Sequence, residues 1–268
     1  MKFRLSSSLW LLALPTLAFA NHAQGTGNFY VGAFGGFGSS THVDTNQYGT
    51  VFFIEANGGP LAVNAIGQLD SKNVAFLGAQ LGYRGQDVCL NTCSQLTLTP
   101  ALELEAFAMN KRSFNGTLNN NTDRLEEHSF AVSYPMRTTV FLANAVLGFN
   151  NTTLLVHPYI GLGIGSAIVK VSDANAAQTN PPEPGINHYN SNTNDTTSTF
   201  AGQIKIGLDY NLNECISLFA EYRWLYLASA DFVLGSAVYP THAPTSSWQV
   251  EIEPQKYHLG SIGVRFNW

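Results

Sequence analysis

Eight stretches of this sequence alternate apolar with polar or small residues, and the connections between them alternate in length. Alternation with a period of two indicates β-strands with one apolar face. Along the chain the connections run long, short, long, short, long, short, long. A closed antiparallel barrel with short turns at one end and long loops at the other has this asymmetry, which a soluble sandwich has no reason to keep. The predicted strands are Asn28–Gly38, Ala75–Gly85, Leu96–Asn110, Met136–Phe149, Leu154–Val171, Phe200–Tyr210, Ile216–Ala228 and a last strand that ends at Trp268.

The composition agrees with a barrel that spans a membrane. Charged residues make up 12% of the chain, about half the average for globular proteins, and aromatic residues another 12%. The mean hydropathy is about zero, which argues against a helical membrane protein. In lipid, closed barrels satisfy every backbone amide. We therefore predict an all-β fold, a transmembrane antiparallel up-and-down β-barrel of eight strands, with four long extracellular loops and short periplasmic turns.

A ten-stranded barrel is an open alternative. The segments Val51–Ile54 and Leu61–Val63 flank a Gly-Gly-Pro turn and have the pattern of a hairpin. Each arm is shorter than the roughly 9–11 residues that cross a bilayer as a strand. We interpret this hairpin as an outward extension of the first long loop.

The first twenty residues have the features of a secretory signal peptide. Lys2 and Arg4 precede an apolar run, Leu9–Phe19, and a small-x-small cleavage site ends at Ala20. We predict a cleaved signal, residues 1–20, followed by one barrel domain, residues 21–268. The signal contains two of the 13 basic residues and none of the 18 acidic ones. The mature chain is therefore clearly acidic, which argues against a nucleic-acid partner.

The polar faces of the predicted strands carry a balanced set of charges. An eight-stranded barrel is just wide enough for side chains to fill its lumen. Buried charges are costly unless they are paired, so we predict an ion-pair network that plugs the lumen. Its predicted members are Arg84, Glu103, Glu105, Lys205, Asp209, Glu221, Arg223 and Arg265.

Three cysteines fall at the rim with the short turns. An exported chain meets an oxidising compartment, and Cys89 and Cys93 are close enough in sequence to close a small turn. We predict a Cys89–Cys93 disulfide, with unpaired cysteines as the alternative, and Cys215 is left over. No histidine lies beside them at ligand spacing, so we predict neither a metal nor a cofactor.

The sequence resembles the small outer-membrane β-barrel family of Gram-negative bacteria, the opacity-type and outer-membrane-protein-A-like surface antigens. The matching pieces are Phe29–Ala33, His157–Gly165 and the terminal strand. The resemblance covers nearly the whole mature chain and implies an outer-membrane location with both termini in the periplasm and membrane lipid around the barrel. It also implies a C-terminal signal that the barrel-assembly machinery recognises. The matching residues of that signal are Ser261, Gly263, Phe266 and Trp268.

The predicted function is structural, with the four long loops displayed to the environment or to a host ligand. Loops on rigid scaffolds tend to carry recognition, and a lumen filled with paired charges argues against conduction. A narrow porin-like channel for small solutes is the first alternative.

An outer-membrane lipid-modifying enzyme or protease is the second alternative. The pairs His128–Ser129 and His258/Ser261 do not have the His-x-Ser spacing of lipid-A deacylases. We interpret the other acidic and imidazole groups of the loops as solvated side chains rather than acid–base catalysts, and predict no enzymatic activity. These groups are His42, Asp44, Asp231 and His242.

Overall fold

The computed structural model describes residues 27–89, 96–120, 128–151, 154–240 and 242–268. Within these ranges the chain forms fifteen β-strands and one 3₁₀ turn, η1 (Glu55–Asn57). In the same ranges no helix combines the length and hydropathy needed to cross a membrane. The predicted signal peptide lies outside the described residues.

The strands are β1 (Asn28–Ser40), β2 (Val43–Val51), β3 (Leu61–Leu69), β4 (Asn73–Arg84), β5 (Val88–Cys89), β6 (Leu96–Met109), β7 (Arg112–Asn120), β8 (Ser129–Asn151), β9 (Val156–Val171), β10 (Asn175–Asn180), β11 (Asp195–Asn211), β12 (Ile216–Leu227), β13 (Ala230–Leu234), β14 (Trp248–Ile252) and β15 (Gln255–Asn267).

Eight of the described strands close into an antiparallel barrel. Around the barrel the order is β1, β4, β6, β8, β9, β11, β12 and β15. The last strand pairs with the first, with Asn267 opposite Tyr30, and the Trp268 N–H donates to the Phe29 carbonyl at 3.0 Å. This closure confirms the predicted eight-stranded barrel and excludes the ten-stranded alternative.

The two ends of the barrel differ as predicted. The connections β4–β6, β8–β9 and β11–β12 are short and lie at the end where β1 begins and β15 finishes, which we call the turn end. The other four connections are long and lie at the opposite end, the loop end.

On the barrel exterior, apolar side chains are exposed along every strand. Those of the last strand include Ile262, Phe266 and Trp268, so the predicted apolar face of this strand points outward.

The long connections, which we predicted to be loops, are largely built of β-strands. They form six strands, β2, β3, β7, β10, β13 and β14, which continue the sheet beyond the barrel together with the first half of β8. We call this part the extension. Its sheet runs β13-β14-β2-β3-β7-β8, and at its far edge the Val233 N–H donates to the Asp195 carboxylate at 2.6 Å.

The strands of the extension also alternate between inward apolar residues and outward residues, and the outward positions are rich in Asn, Thr, Ser and Gly. Inward residues form an apolar core that excludes water. Residues 43–69 form the β2–β3 hairpin that we interpreted as an outward extension, and the turn uses Gly58 and Gly59 at positive φ (91° and 70°). The core includes Leu61, Val63, Leu69, Phe114, Leu118, Phe130, Val132, Tyr134, Tyr189, Phe232, Leu234, Trp248, Val250 and Ile252.

Candidate functional site: the charged lumen

The structure brings all eight predicted lumen residues into one continuous set of contacts. They project inward from β4, β6, β11, β12 and β15, because alternate residues of a strand point to opposite faces of a sheet. Seven of the eight are buried, and Arg84 keeps 31% of its side-chain surface exposed. No net charge remains across the set, since four side chains are basic and four are acidic.

Lys205 is the hub of the network. Its ammonium group contacts the carboxylates of Glu103, Glu105 at 2.7 Å and Glu221 at 3.3 Å. None of these four side chains has any exposed surface. The ammonium donates hydrogen bonds to Glu103 and Glu105, and Glu221 adds a third ion-pair contact.

Two arginines complete the neutralisation of the glutamates. Arg223 donates to Glu105 at 3.1 Å and also contacts Glu221. Arg265 lies 3.4 Å from Glu221 and 3.3 Å from Asp209. Both guanidinium groups also lie against aromatic rings, because a planar cation stacks well on a π face.

The network ends toward the turn end at an Arg84–Asp209 pair, whose closest atoms are 3.3 Å apart. Beside this pair is a cavity of about 290 Å³, lined in part by Thr99, Asn150 and His157. The cavity also reaches Tyr30, Tyr159 and Arg265. The barrel therefore has a small vestibule, lined by both polar and apolar groups, on one side of the ionic layer.

Four uncharged polar residues of the lumen were not predicted as members of the network. Tyr30 donates to Glu103 at 2.8 Å and Tyr159 donates to Glu221 at 2.7 Å. The amide of Gln203 bridges Glu105 and Asn144, with both distances 2.7 Å. Their position in the strand could have identified them: Gln203 is two residues from Lys205 and therefore lies on the same inward face, but it carries no charge.

Glycines make room for the large side chains of the network. A Cβ on Gly82 would lie 2.1 Å from the Tyr30 ring, and one on Gly207 would lie 2.4 Å from the Tyr159 ring. A Cβ on Gly161 would lie 2.9 Å from the stem of Lys205. Each inward glycine thus lies beside a bulky partner on a neighbouring strand, which agrees with the general role of glycine at close approaches.

Aromatic and aliphatic side chains fill the lumen next to the ionic layer. Phe34 lies between the other rings, at centroid distances of 6.2–6.4 Å from Phe76, Phe107 and Phe219. The Arg223 guanidinium carbon is 4.1 Å from the centroid of Phe34. Farther toward the loop end, the same buried cluster continues with Met109, Val140, Leu225, Leu227, Tyr257 and Leu259.

The predicted C-terminal signal residues lie on both faces of β15. Ser261 points inward, and its hydroxyl lies 3.5 Å from Glu221. Gly263 lies against the Phe219 ring, while Phe266 and Trp268 are exposed outside the barrel. Their recognition by the assembly machinery stays a prediction.

Cys89 and Cys215 lie at the turn end. Within the described ranges Cys89 and Cys215 are exposed and free. Cys93, the predicted partner of Cys89, falls outside those ranges, so the predicted disulfide stays untested.

The residues considered for an enzyme do not come together as one acid–base group. His258 and Ser261 lie on opposite faces of β15, and the His258 ring pairs with the Tyr222 hydroxyl on the outside, at 2.6 Å. The Asp44 carboxylate accepts from Gln68 at 2.9 Å, and Asp44, Asp231 and His42 are exposed.

His242 lies elsewhere, beside Glu183 and His188 of another connection. Burial lowers the pKa of His188 below its ordinary value, because a buried site disfavours the charged imidazolium.

A family model described as the outer membrane protein β-barrel domain matches residues 9–232. The chain belongs to this family. Membership confirms the resemblance to outer-membrane β-barrels seen in the sequence, and it assigns the protein to the cell outer membrane. The apolar barrel exterior described above is the surface that such a protein presents to lipid. No curated protein shows significant sequence similarity to the chain.

Several solved outer-membrane barrels are similar to this chain. Neisserial surface protein A is 16% identical, with a TM-score of 0.38 over 90% of this chain and 97% of the other. The outer membrane protein OprG from Pseudomonas aeruginosa is 16% identical, with a TM-score of 0.39 over 89% and 96%. The outer membrane protease OmpT from Escherichia coli is 7% identical, with a TM-score of 0.32 over 90% and 97%. Likeness at this level assigns no function.

Proposed function

We propose that this outer-membrane barrel is a closed scaffold that presents the extension at the cell surface, where it contacts the environment or a host ligand. The observation that carries the proposal is the filling of the lumen. A layer of paired charges is followed by a layer of phenylalanine rings, and then by the apolar core of the extension. A scaffold of this kind supports recognition, and the side chains that fill the lumen in the described ranges argue against passage of solutes.

The proposed ligand-binding surface is the outside of the extension. All four long connections contribute to one sheet system, so their outward side chains keep fixed relative positions. A preorganised surface loses less conformational entropy on binding than separate flexible loops. We expect a ligand to recognise side chains from several connections at once.

A narrow channel is the second candidate, and the cavity at the turn end is the observation that favours it. Its lining mixes polar and apolar groups and includes Arg84 and Asp209. The cavity meets Arg265, whose contacts with Glu221 and Asp209 belong to the buried network. Conduction would require these contacts to break, at a cost that buried ion pairs make large.

The proposed orientation in the membrane has the extension outside the cell and both chain termini in the periplasm. Short turns on the periplasmic side and long connections outside are the usual arrangement of such barrels. The barrel exterior then contacts outer-membrane lipid. The C-terminal strand is proposed to engage the assembly machinery before the barrel closes.

Cysteine labelling on intact cells tests this sidedness. The first variant, C89S/C93S, keeps the exposed Cys215 at the turn end. The second replaces all three cysteines with serine and adds Ala56→Cys at the exposed tip of the β2–β3 hairpin. We expect a membrane-impermeant maleimide to label Ala56→Cys in intact cells and Cys215 only after lysis. The reverse pattern would place the extension in the periplasm and overturn the proposal.

A further inference from the structure

A pair of histidines and a glutamate meet in the extension, where two of the long connections touch. Glu183 and His188 belong to the connection between β9 and β11, and His242 belongs to the connection between β13 and β14. The Glu183 carboxylate oxygen lies 3.5 Å from Nε2 of His188 and 3.5 Å from Nε2 of His242. The three potential ligand atoms are all within 4.8 Å of one another.

The other nitrogen of each imidazole fixes its tautomer. Nδ1 of His188 lies 3.0 Å from the Ala176 carbonyl oxygen, and Nδ1 of His242 lies 2.6 Å from the Ala243 carbonyl oxygen. A carbonyl oxygen only accepts hydrogen bonds, so both Nδ1 atoms carry the proton and donate it. In the neutral rings each Nε2 therefore directs a lone pair toward Glu183. Histidines that ligate metals are oriented in this way, through a hydrogen bond from the other ring nitrogen.

The carboxylate supplies a third acceptor that has no partner. The Glu183 oxygen that faces both rings is buried and accepts no hydrogen bond. In the neutral form of both rings, two lone pairs and a carboxylate oxygen converge without a donor and repel one another, and a buried unsatisfied acceptor costs free energy. A bound cation removes both costs.

The surrounding structure holds the ligands in place. The Phe130 ring lies edge-on to His188 at 5.1 Å, and His188 in turn lies edge-on to His242 at 5.1 Å. The indole N–H of Trp248 donates to the His188 carbonyl at 3.1 Å. Glu183 and His242 keep 35% and 14% of their side-chain surface exposed, so an ion from solution reaches the group.

We infer that Glu183, His188 and His242 bind one divalent transition-metal ion, of which zinc is the best-fitting example. Two imidazoles and one carboxylate are a known ligand set for zinc and leave a fourth position for water. Ligand atoms around a tetrahedral zinc are about 3.3 Å apart for bonds of about 2.0–2.1 Å. The two spacings from Glu183 to the imidazoles, 3.5 Å each, are close to this value, and the third pair lies within 4.8 Å. Calcium and magnesium prefer oxygen ligands throughout.

The ion would join two connections that are distant in sequence, and so stabilise the extension. No metal was expected from the sequence, because no histidine lies beside the cysteines at ligand spacing, whereas this group contains no cysteine. This inference is independent of whether the lumen conducts.

Zinc titration of the folded, untagged mature chain tests the inference. The background carries C89S, C93S and C215S, because thiolates also bind zinc. After removal of metal with a chelator, calorimetry with zinc chloride should show one ion bound per chain. We expect His242→Ala and Glu183→Gln each to weaken binding at least about tenfold. Excess calcium should not compete.

His42→Ala is the matched control, because it removes an exposed imidazole of the same end of the molecule. It should bind zinc like the parent. Heat-modifiable gel mobility verifies that every variant is folded. Absence of zinc binding by the folded parent would overturn the inference and leave the group as an ordinary ion pair. Zinc binding that the His242 and Glu183 substitutions leave unchanged would overturn it as well.

Discussion

Replacement of Lys205 with methionine should lower the free energy of unfolding of the barrel by about 3–5 kcal/mol. The methionine keeps the length of the side chain but removes the cation that contacts Glu103, Glu105 and Glu221. Three buried carboxylates would then share the remaining positive charges, and the network would carry one uncompensated negative charge. Guanidinium unfolding in lipid vesicles, followed by heat-modifiable gel mobility, measures the change.

Two further variants test whether this loss of stability comes from the buried ion-pair network. Lys170→Met removes an exposed lysine of β9 and should change stability by less than about 0.5 kcal/mol. The double variant K205M/E103Q restores neutrality and should recover part of the loss. If Lys205→Met is as stable as Lys170→Met, the buried pairs do not hold the barrel together.

Replacement of Trp248 with alanine should destabilise the extension by about 3–5 kcal/mol and leave the barrel folded. The indole is 2% exposed and lies in the apolar core of the extension. It lies so close to Gly49 that a Cβ there would be 2.4 Å from the ring. Hydrogen exchange should therefore speed up at least about a hundredfold in β2, β13 and β14.

Tyr48→Ala is the control for this prediction, because it removes an aromatic side chain of β2 that is 41% exposed. Its effect on exchange should be small. Exchange that stays unchanged in Trp248→Ala would show that the extension does not depend on its apolar core. Loss of protection in β11 and β12 as well would show that barrel and extension unfold as one unit.

The barrel was predictable from sequence because the lipid-facing side of each strand is strongly apolar. Ile204, Ile206 and Leu208 alternate with Gln203, Lys205 and Asp209, and the connection lengths then fixed the topology. Apart from the tip of the β2–β3 hairpin, the strands of the extension were not predicted, because their outward residues are polar and their inward residues are partly polar too. Thr45 and Gln47 occupy buried positions of β2, which weakens the alternation that identifies a strand.

The charged members of the lumen were predictable for a related reason. Parity alone decides which residues point inward, and charges are easy to recognise on that face. The network positions of Tyr30 and Tyr159 could not be predicted in this way, because a tyrosine within an aromatic strand is equally suited to the membrane interface. The group of Glu183, His188 and His242 depends on contact between two connections, and no local pattern reveals such a contact.

Conductance in planar lipid bilayers tests the central claim, a lumen closed by buried charges and aromatic rings, most directly. The sample is the refolded mature chain, with insertion verified by heat-modifiable mobility of the same preparation and with a known porin as the positive control. The closed-scaffold account predicts a baseline current without stable steps. Reproducible, stable conductance steps from the wild-type chain would contradict it and establish the channel instead.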